Sequence, residues 1–96
     1  MKLKFAWNKK KAKTNKKKHG INFEEASTVF DDPLAEVFDD EKHSIDEERE
    51  YIVGRSMLQR LLIVFFTERA QDIIRIFSAR KANKRERREY EDSPRS

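Results

Sequence analysis

Four arginines lie where the apolar segments of this chain end or are interrupted, namely Arg55, Arg69, Arg75 and Arg80. An arginine side chain presents a planar fork that can hold two phosphate oxygens at once. Cleavage of RNA without a metal ion needs such cations to stabilise the charge of a pentavalent phosphorane. The four arginines are therefore candidates for holding a phosphodiester while it is cleaved.

The same reaction needs a base for the ribose 2′-hydroxyl and an acid for the leaving oxygen. His19, Glu68 and Tyr90 are the candidates, and Tyr90 could also stack on a nucleobase. Each has a structural alternative. His19 is predicted to end a helix, where a cation interacts favourably with the dipole. Glu68 with Arg69 fits a surface ion pair, Tyr90 fits a packing residue, and Arg75 fits a partner for an acidic side chain.

Basic residues follow the last predicted strand and are typical of a surface for an anionic partner. Rows of Lys and Arg neutralise phosphate charge and release condensed counterions. We predict RNA contacts for six cations, which are Lys18, Arg75, Lys81, Lys84, Arg85 and Arg88. The other lysines of the first helix fit nonspecific phosphate contacts or an acidic protein partner.

The net charge of +4 conceals three blocks of alternating sign. Residues 1–20 carry nine Lys and no acid, and residues 21–50 carry twelve acids and two bases. Residues 51–96 carry eleven bases and six acids. This segregation predicts two basic surfaces separated by an acidic one, and solvation of surface helices is the simpler alternative.

Composition excludes several kinds of site. The chain has no Cys, which excludes disulfides, thiolate metal sites and cysteine nucleophiles. Two His cannot close a zinc site and adjacent loop acids are usually solvated, so we expect no metal and no cofactor. No apolar run approaches the roughly 18 residues of a membrane span, and no signal-peptide core follows the first residues. We therefore expect a cytoplasmic protein without membrane contact.

The N-terminal part of the chain predicts a strand and a helix. Apolar side chains alternate with other residues over 3–7, which is typical of a short half-buried strand. A helix over 9–19 fits the N-cap Asn8 and the terminator Gly20. The stripe of Ala12, Asn15 and His19 on that helix should face the protein, because the rest of its surface is mostly lysine.

A second helix is predicted after the cap Asn22, with Glu25 at the capping-box position. Asp31-Asp32-Pro33 ends it. Residues 34–38 could form a short strand, followed by an acidic loop over 39–48.

The C-terminal half predicts three strands, over residues 51–53, 60–67 and 73–79. The first is broken at Gly54, the second is apolar enough to be central, and the short connections indicate an antiparallel meander. Asn83 then caps a last helix, with Glu86 again at the capping-box position. These elements predict one α+β domain over 1–92, with helices packed on one side of a small antiparallel sheet, and a frayed tail over 93–96.

Several linked segments resemble the BrnT toxin family. These are Trp7-Asn8 leading to KHGINFEEASTVFDDP, then HSIDEEREYIVGRS, then TERAQDIIRIFSARKANKRERREYE. The resemblance extends from about Phe5 to Glu91, and the order and spacing of several motifs make it specific. The chain departs from the family in a lysine-rich first helix and in Phe77, where a smaller aliphatic residue is usual.

The resemblance implies a RelE-like ribonuclease fold and the role of toxin in a type II toxin–antitoxin system, in which RNA cleavage arrests translation and growth. It implies a BrnA-like ribbon-helix-helix antitoxin, which covers the toxin and with it represses operator DNA. The motif positions it marks are Lys18, His19, Glu48, Arg49, Arg55, Glu68, Arg69, Arg80 and Tyr90.

Two other functions remain open from the residues alone. A nucleic-acid-binding module would use the same basic surfaces without cleaving RNA. A structural partner protein would use them mainly to receive an acidic antitoxin segment.

Overall fold

A computed structural model describes residues 3–43 and 48–92. The predicted tail over 93–96 and part of the predicted acidic loop, 44–47, lie outside the described residues. The elements in chain order are β1 (Lys4–Trp7), α1 (Lys9–His19), α2 (Phe23–Ser27), a 3₁₀ turn (Thr28–Asp31), β2 (Glu36–Asp39), a 3₁₀ turn (Glu41–His43), β3 (Glu50–Arg55), β4 (Leu61–Glu68), β5 (Ile73–Lys81) and α3 (Lys84–Asp92). None of the described helices is long and apolar enough to span a membrane.

The five strands form one sheet in the order β1-β5-β4-β3-β2. Strands β3, β4 and β5 form the antiparallel meander that the sequence predicts, and β4 is central. The expectation of a purely antiparallel sheet is wrong at one edge, because β1 pairs parallel with β5, with Lys4 opposite Ile73. β1 and β5 are far apart in the sequence, so no hairpin signal between neighbouring segments predicts their pairing.

Helices cover both faces of the sheet, and the prediction of helices on one side is wrong for α3. On one face, α1 and α2 pack over a core that includes Phe23, Leu62 and Ile76. On the other, Tyr90 of α3 packs against Val53, Leu61 and Ile63. Apolar residues in β4 point to both faces, so a helix on each side is needed to cover them. We call the sheet surface on the α3 side that α3 leaves uncovered the open face.

The caps predicted from sequence are present. Asn8 accepts a hydrogen bond from Lys11 N–H at 3.0 Å, and Gly20 ends α1 in the left-handed conformation at φ 72°. Asn83 Oδ1 accepts from Glu86 N–H, while Glu86 Oε1 accepts from Asn83 N–H, both at 2.8 Å. This reciprocal capping box fixes the start of α3.

Asn15 completes the edge of the sheet where β1 has ended. Its amide nitrogen donates to the Ala79 carbonyl at 2.9 Å, and its Oδ1 accepts from Ala79 N–H at 3.1 Å. The same nitrogen donates to the Ile21 carbonyl at 2.9 Å. The buried side chain therefore replaces a strand at β5 and attaches α1 to it, because buried backbone groups require partners.

Glu25 forms a buried ion pair that ties α2 to the β3–β4 turn. Asn22 caps Glu25 N–H as predicted, but the Glu25 carboxylate, 3% exposed, turns to Arg60. It accepts from Arg60 Nε at 2.9 Å and from the Ser56 hydroxyl at 2.6 Å. These bonds, led by the one from Arg60, outweigh burial and lower the pKa of Glu25. Removing Arg60 would leave the buried Glu25 carboxylate without its charge partner, whereas Arg60 is 31% exposed and remains solvated.

A break was predicted at Gly54, but β3 continues through this residue. The 3₁₀ turn before β2 lies directly against Gly54. Asp32 at the end of that turn accepts hydrogen bonds from Arg55 N–H at 2.8 Å, Leu34 N–H at 2.9 Å and the Tyr90 hydroxyl at 2.7 Å. Burial alone would raise the pKa of Asp32, but these three bonds lower it below its usual value.

Gly54→Ala should destabilise the fold by about 1–3 kcal/mol, because the new methyl group overpacks this contact. Its Cβ would lie 2.8 Å from Ala35 Cβ, 3.0 Å from Asp32 Oδ2 and 3.1 Å from Val29 Cγ1. Urea unfolding followed by Trp7 fluorescence measures the loss. Ala35→Gly in the same chain should recover part of it, and parent-like stability of Gly54→Ala would contradict the tight contact.

Acidic side chains repel one another at the end of the sheet farthest from α3. Asp39 and Glu50 are direct cross-strand partners, and like charges in that position are destabilising. Burial raises the pKa of Glu50, and Asp39, Glu68 and Glu48 raise it further. A raised folded-state pKa means stability that is present at low pH and lost as the pH rises through that pKa.

Glu50→Gln should therefore raise the midpoint of thermal unfolding at pH 7. The difference from the parent should vanish below about pH 4, where an ordinary Glu is protonated. Glu24→Gln, in the first turn of α2, removes the same charge without relieving this repulsion. An equal rise in that control would assign the effect to net charge.

Candidate functional site

Three aromatic rings lie side by side across the open face. The strand register places Ser78 opposite Phe65, Phe65 opposite Tyr51, and Tyr51 opposite Phe38. The ring centroids of Phe38 and Tyr51 are 5.2 Å apart and stacked, and those of Tyr51 and Phe65 are 5.6 Å apart. We call these three residues the aromatic row. Such rows on sheets are suited to stacking of unpaired bases.

Arg80 lies beside the aromatic row and is held there by Glu86. Its two terminal nitrogens each donate to one Glu86 oxygen at 2.9 Å, and its guanidinium carbon is 5.9 Å from the Phe65 ring centroid. The hydrogen bond from Arg80 lowers the pKa of Glu86, and the bond to Glu86 raises the pKa of Arg80. Glu86 thus caps α3 and orients the arginine fork at once.

A second cationic group lies where α1 approaches β5. The register shift between β4 and β5 leaves Phe77 as an extra residue on β5. Its ring has the Arg49 guanidinium carbon 4.3 Å and the Lys11 ammonium 5.2 Å from its centroid. Both are within the range of cation–π interaction.

His19 and Lys18 line a shallow cavity of about 390 Å³ whose other wall includes Phe77 and Ser78. His19 is half-buried at the end of α1, as expected for the stripe it shares with Ala12 and Asn15. Ser78 is also the β5 member of the cross-strand row, two residues before Arg80. The cavity of His19 thus reaches β5 at Ser78, two residues before Arg80 in the strand.

Arg55 and Tyr90 meet at the end of α3. Tyr90 is 6% exposed, its hydroxyl donates to Asp32, and the Arg55 guanidinium carbon is 5.8 Å from its ring centroid. The structure thus shows Tyr90 in the packing arrangement rather than presented for stacking on a base. Arg55 also pairs with Glu91 at 3.8 Å.

Glu68 and Arg69 lie away from this site, at the β4–β5 turn. Ile63 is opposite Arg80 in the sheet, and Glu68 is five residues further along β4, about 17 Å away. Glu68 also shares the sheet face of Phe66, which packs under α1 and α2. Arg75 lies on the side of the sheet that carries Arg80, opposite Thr67, toward the same distant end.

The remaining predicted RNA contacts are exposed on and beside α3. Lys81, Lys84, Arg85 and Arg88 are all exposed, and Arg85 pairs with Glu89 at 3.2 Å. Lys84, Arg85 and Arg88 belong to α3, whereas Lys81 is the last residue of β5 and lies opposite Leu62. Arg85 also lines the cavity that includes Phe38 and Tyr51, and all four cations can attract phosphate.

Neither the pairing of Glu86 with Arg80 nor the grouping of the aromatic row was predicted from the sequence. Glu86 was recognised only as a capping residue, because a carboxylate three residues after Asn83 fits that role fully. Phe38, Tyr51 and Phe65 fall on three strands whose relative register the sequence does not state. Period-two counting would have placed each on a face, but only pairing aligns them.

Within residues 3–43 and 48–92, no group of three or more His, Asp or Glu side chains is arranged to hold a metal ion.

Comparisons with known proteins agree on the type of molecule. A family model described as "Ribonuclease toxin, BrnT, of type II toxin-antitoxin system" matches residues 7–86. The crystal structure of the Brucella abortus ribonuclease toxin BrnT superposes with a TM-score of 0.66 at 23% identity, covering 85% of this chain and 99% of that one. That likeness shows that the two proteins share the same α+β fold. A comparison with curated proteins found no significant match. With most of its length matched by the family model, the chain belongs to the BrnT family of ribonuclease toxins of type II toxin–antitoxin systems.

Proposed function

We propose that this toxin cleaves RNA without a metal ion, as an endoribonuclease of the mRNA interferase type, on the open face. One observation carries the proposal: Glu86 holds the fork of Arg80 in fixed orientation beside the aromatic row. A guanidinium oriented before substrate arrives can stabilise developing phosphorane charge at little reorganisation cost.

Arg80 supplies the charge that the reaction needs. In the proposed step, the ribose 2′-oxygen loses its proton and attacks the adjacent phosphorus. The bond from phosphorus to the 5′-oxygen breaks, that oxygen takes up a proton, and a 2′,3′-cyclic phosphate remains. Arg80 contacts the non-bridging oxygens through the N–H groups that Glu86 does not occupy, and Arg49 and Lys11 at Phe77 add positive potential.

His19 is the proposed proton carrier. The support for this role is that His19 lines the cavity that also includes Ser78, two residues before Arg80 on β5. Histidine is the side chain best suited to exchange protons near neutral pH. Glu68 is a weaker candidate because it lies at the distant end of β4, about 17 Å along the strand from the partner of Arg80.

Arg55 and Tyr90 have a supporting role in this proposal. Tyr90 anchors α3 through Asp32, and α3 carries Glu86. Arg55 packs over Tyr90 and adds positive charge at that end of the helix. Arg69 and Arg75, at the far end of the sheet, would contact RNA away from the scissile bond.

The proposed partner is a BrnA-like ribbon-helix-helix antitoxin in the cytoplasm, which covers the toxin and joins it on operator DNA. A type II system implies a protein antitoxin, and the segregated charge of this chain supports an electrostatically guided complex. Neutralisation is tested by co-expression of the neighbouring reading frame, which should restore growth.

Arg80→Ala should lower the rate of RNA cleavage about 100-fold or more, a loss typical for a group that stabilises transition-state charge. Arg80→Lys should recover little, since an ammonium cannot reproduce the fork. The measurement is single-turnover cleavage of a labelled RNA in the presence of a chelator, alongside growth arrest on induction.

Arg87→Ala is the matched control for Arg80→Ala, because it removes the same charge from the exposed surface of α3. Arg69→Ala tests the distant end of the sheet. Cleavage that survives in Arg80→Ala but is lost in Arg69→Ala would move the site to the β4–β5 turn. RNA binding by the parent without cleavage at any metal concentration would favour a non-catalytic binding module.

A further inference from the structure

We propose that the aromatic row of Phe38, Tyr51 and Phe65 is a binding site for the bases of unpaired RNA. The row extends the proposed cleavage site, so this inference rests on the proposed function. It assigns substrate positioning to three residues that no motif of the chain marks.

The row ends in an exposed ring, that of Phe38, on which a base can stack. The rings are spaced 5.2 and 5.6 Å apart, because they are neighbours across hydrogen-bonded strands. Phe38 lies on the edge strand β2 and is 41% exposed, although it is a large apolar side chain. Stacking of a base on an aromatic ring depends on the π-face that all bases share, so such a site tolerates many sequences.

Charge around the row determines how RNA would lie on it. Arg80 is at the Phe65 end, with Arg49 and Lys11 nearby at Phe77. The phosphate chain is therefore expected on the β5 side, and the bases are expected to extend from Phe65 toward Phe38.

The groove at the other end of the row favours a base over a phosphate. It has a volume of about 460 Å³, and its floor is formed by Phe38, Tyr51, Val53 and Ile63. The charged residues that line it include the carboxylates Glu36 and Asp92 and one cation, Arg85, which is paired with Glu89. Carboxylates repel phosphate but can accept hydrogen bonds from exocyclic amino groups of bases. A wholly apolar peptide would leave these charges without compensation on desolvation, so RNA is the occupant that the surface fits best.

The test uses an eight-nucleotide 2′-O-methyl RNA, which cannot form the cyclic phosphate, with 2-aminopurine at one internal position. Binding to the parent protein should quench the 2-aminopurine fluorescence, because the base stacks on a ring. Phe38→Ala should weaken binding about tenfold and abolish most of the quenching. The dependence of affinity on salt should stay unchanged, because no phosphate contact is removed.

Two controls separate loss of stacking from loss of structure. Phe38→Tyr keeps a ring on the edge strand and should bind as the parent does. Leu34→Ala truncates another exposed apolar residue, 45% exposed, that lines a different cavity. It should change neither affinity nor quenching.

Parent-like binding and quenching in Phe38→Ala and Tyr51→Leu would overturn the stacking site, and cleavage by the parent would then still support the proposed function. If the parent protein cleaves no RNA, but its binding quenches the 2-aminopurine fluorescence and depends on Phe38, the stacking site stands and the proposed catalysis is refuted. If Phe38→Ala lowers affinity for the antitoxin and not for RNA, the row is a protein interface and the inference fails.

Discussion

The carboxylate of Asp32 is the group on which the arrangement of the site depends. It accepts hydrogen bonds from the start of the β2 segment, from β3 and from Tyr90 of α3. These three elements are distant in the sequence. Among the described hydrogen bonds, no other side chain bonds to all three of them. Asp32 holds α3 through Tyr90, α3 carries Glu86, and Glu86 orients Arg80. The position of Arg80, the proposed catalytic cation, therefore depends on Asp32. The close approach at Gly54 gives the carboxylate room to reach the β3 backbone.

The two faces of the sheet differ in what covers them. The face under α1 and α2 is filled by a continuous apolar core, and Asn15 satisfies the β5 backbone where β1 stops. The other face is covered by α3 at one end only, and aromatic and cationic side chains occupy the open part. The repulsion around Glu50, at the end of the sheet away from α3, is a cost to stability that the core must offset. In a domain of this size the apolar core alone leaves little margin for such costs.

The family model and the chemistry of the individual residues indicate the same class of molecule, a protein that acts on RNA. Clustered cations with a histidine and tyrosine indicated an RNA surface, and the family model identifies a ribonuclease toxin. The geometry then divides the candidates: Arg80 lies beside the aromatic row, His19 lines a separate cavity at Phe77 and Ser78, and Glu68 with Arg69 lies at the distant end of β4. The family motifs mark all of these residues equally, because a motif does not specify how far apart its residues lie in the folded protein.

Local signals in the sequence determined most of the elements. Asn8, Gly20, Asn22 and Asn83 predicted the helix ends correctly, because a cap is a contact within a few residues. The meander of β3, β4 and β5 was predictable for the same reason, since hairpins join neighbouring segments.

Only the tertiary structure decided the parallel β1–β5 pair, the side of the sheet on which α3 packs, and the continuation of β3 through Gly54. It also decided that Glu25 pairs with Arg60, that Asp32 holds Tyr90, and that three aromatic residues on three strands stand in one row. Each of these depends on the register and packing of segments far apart in sequence. Their energies arise from burial and pairing that exist only after the chain has folded, so residue order alone does not specify them.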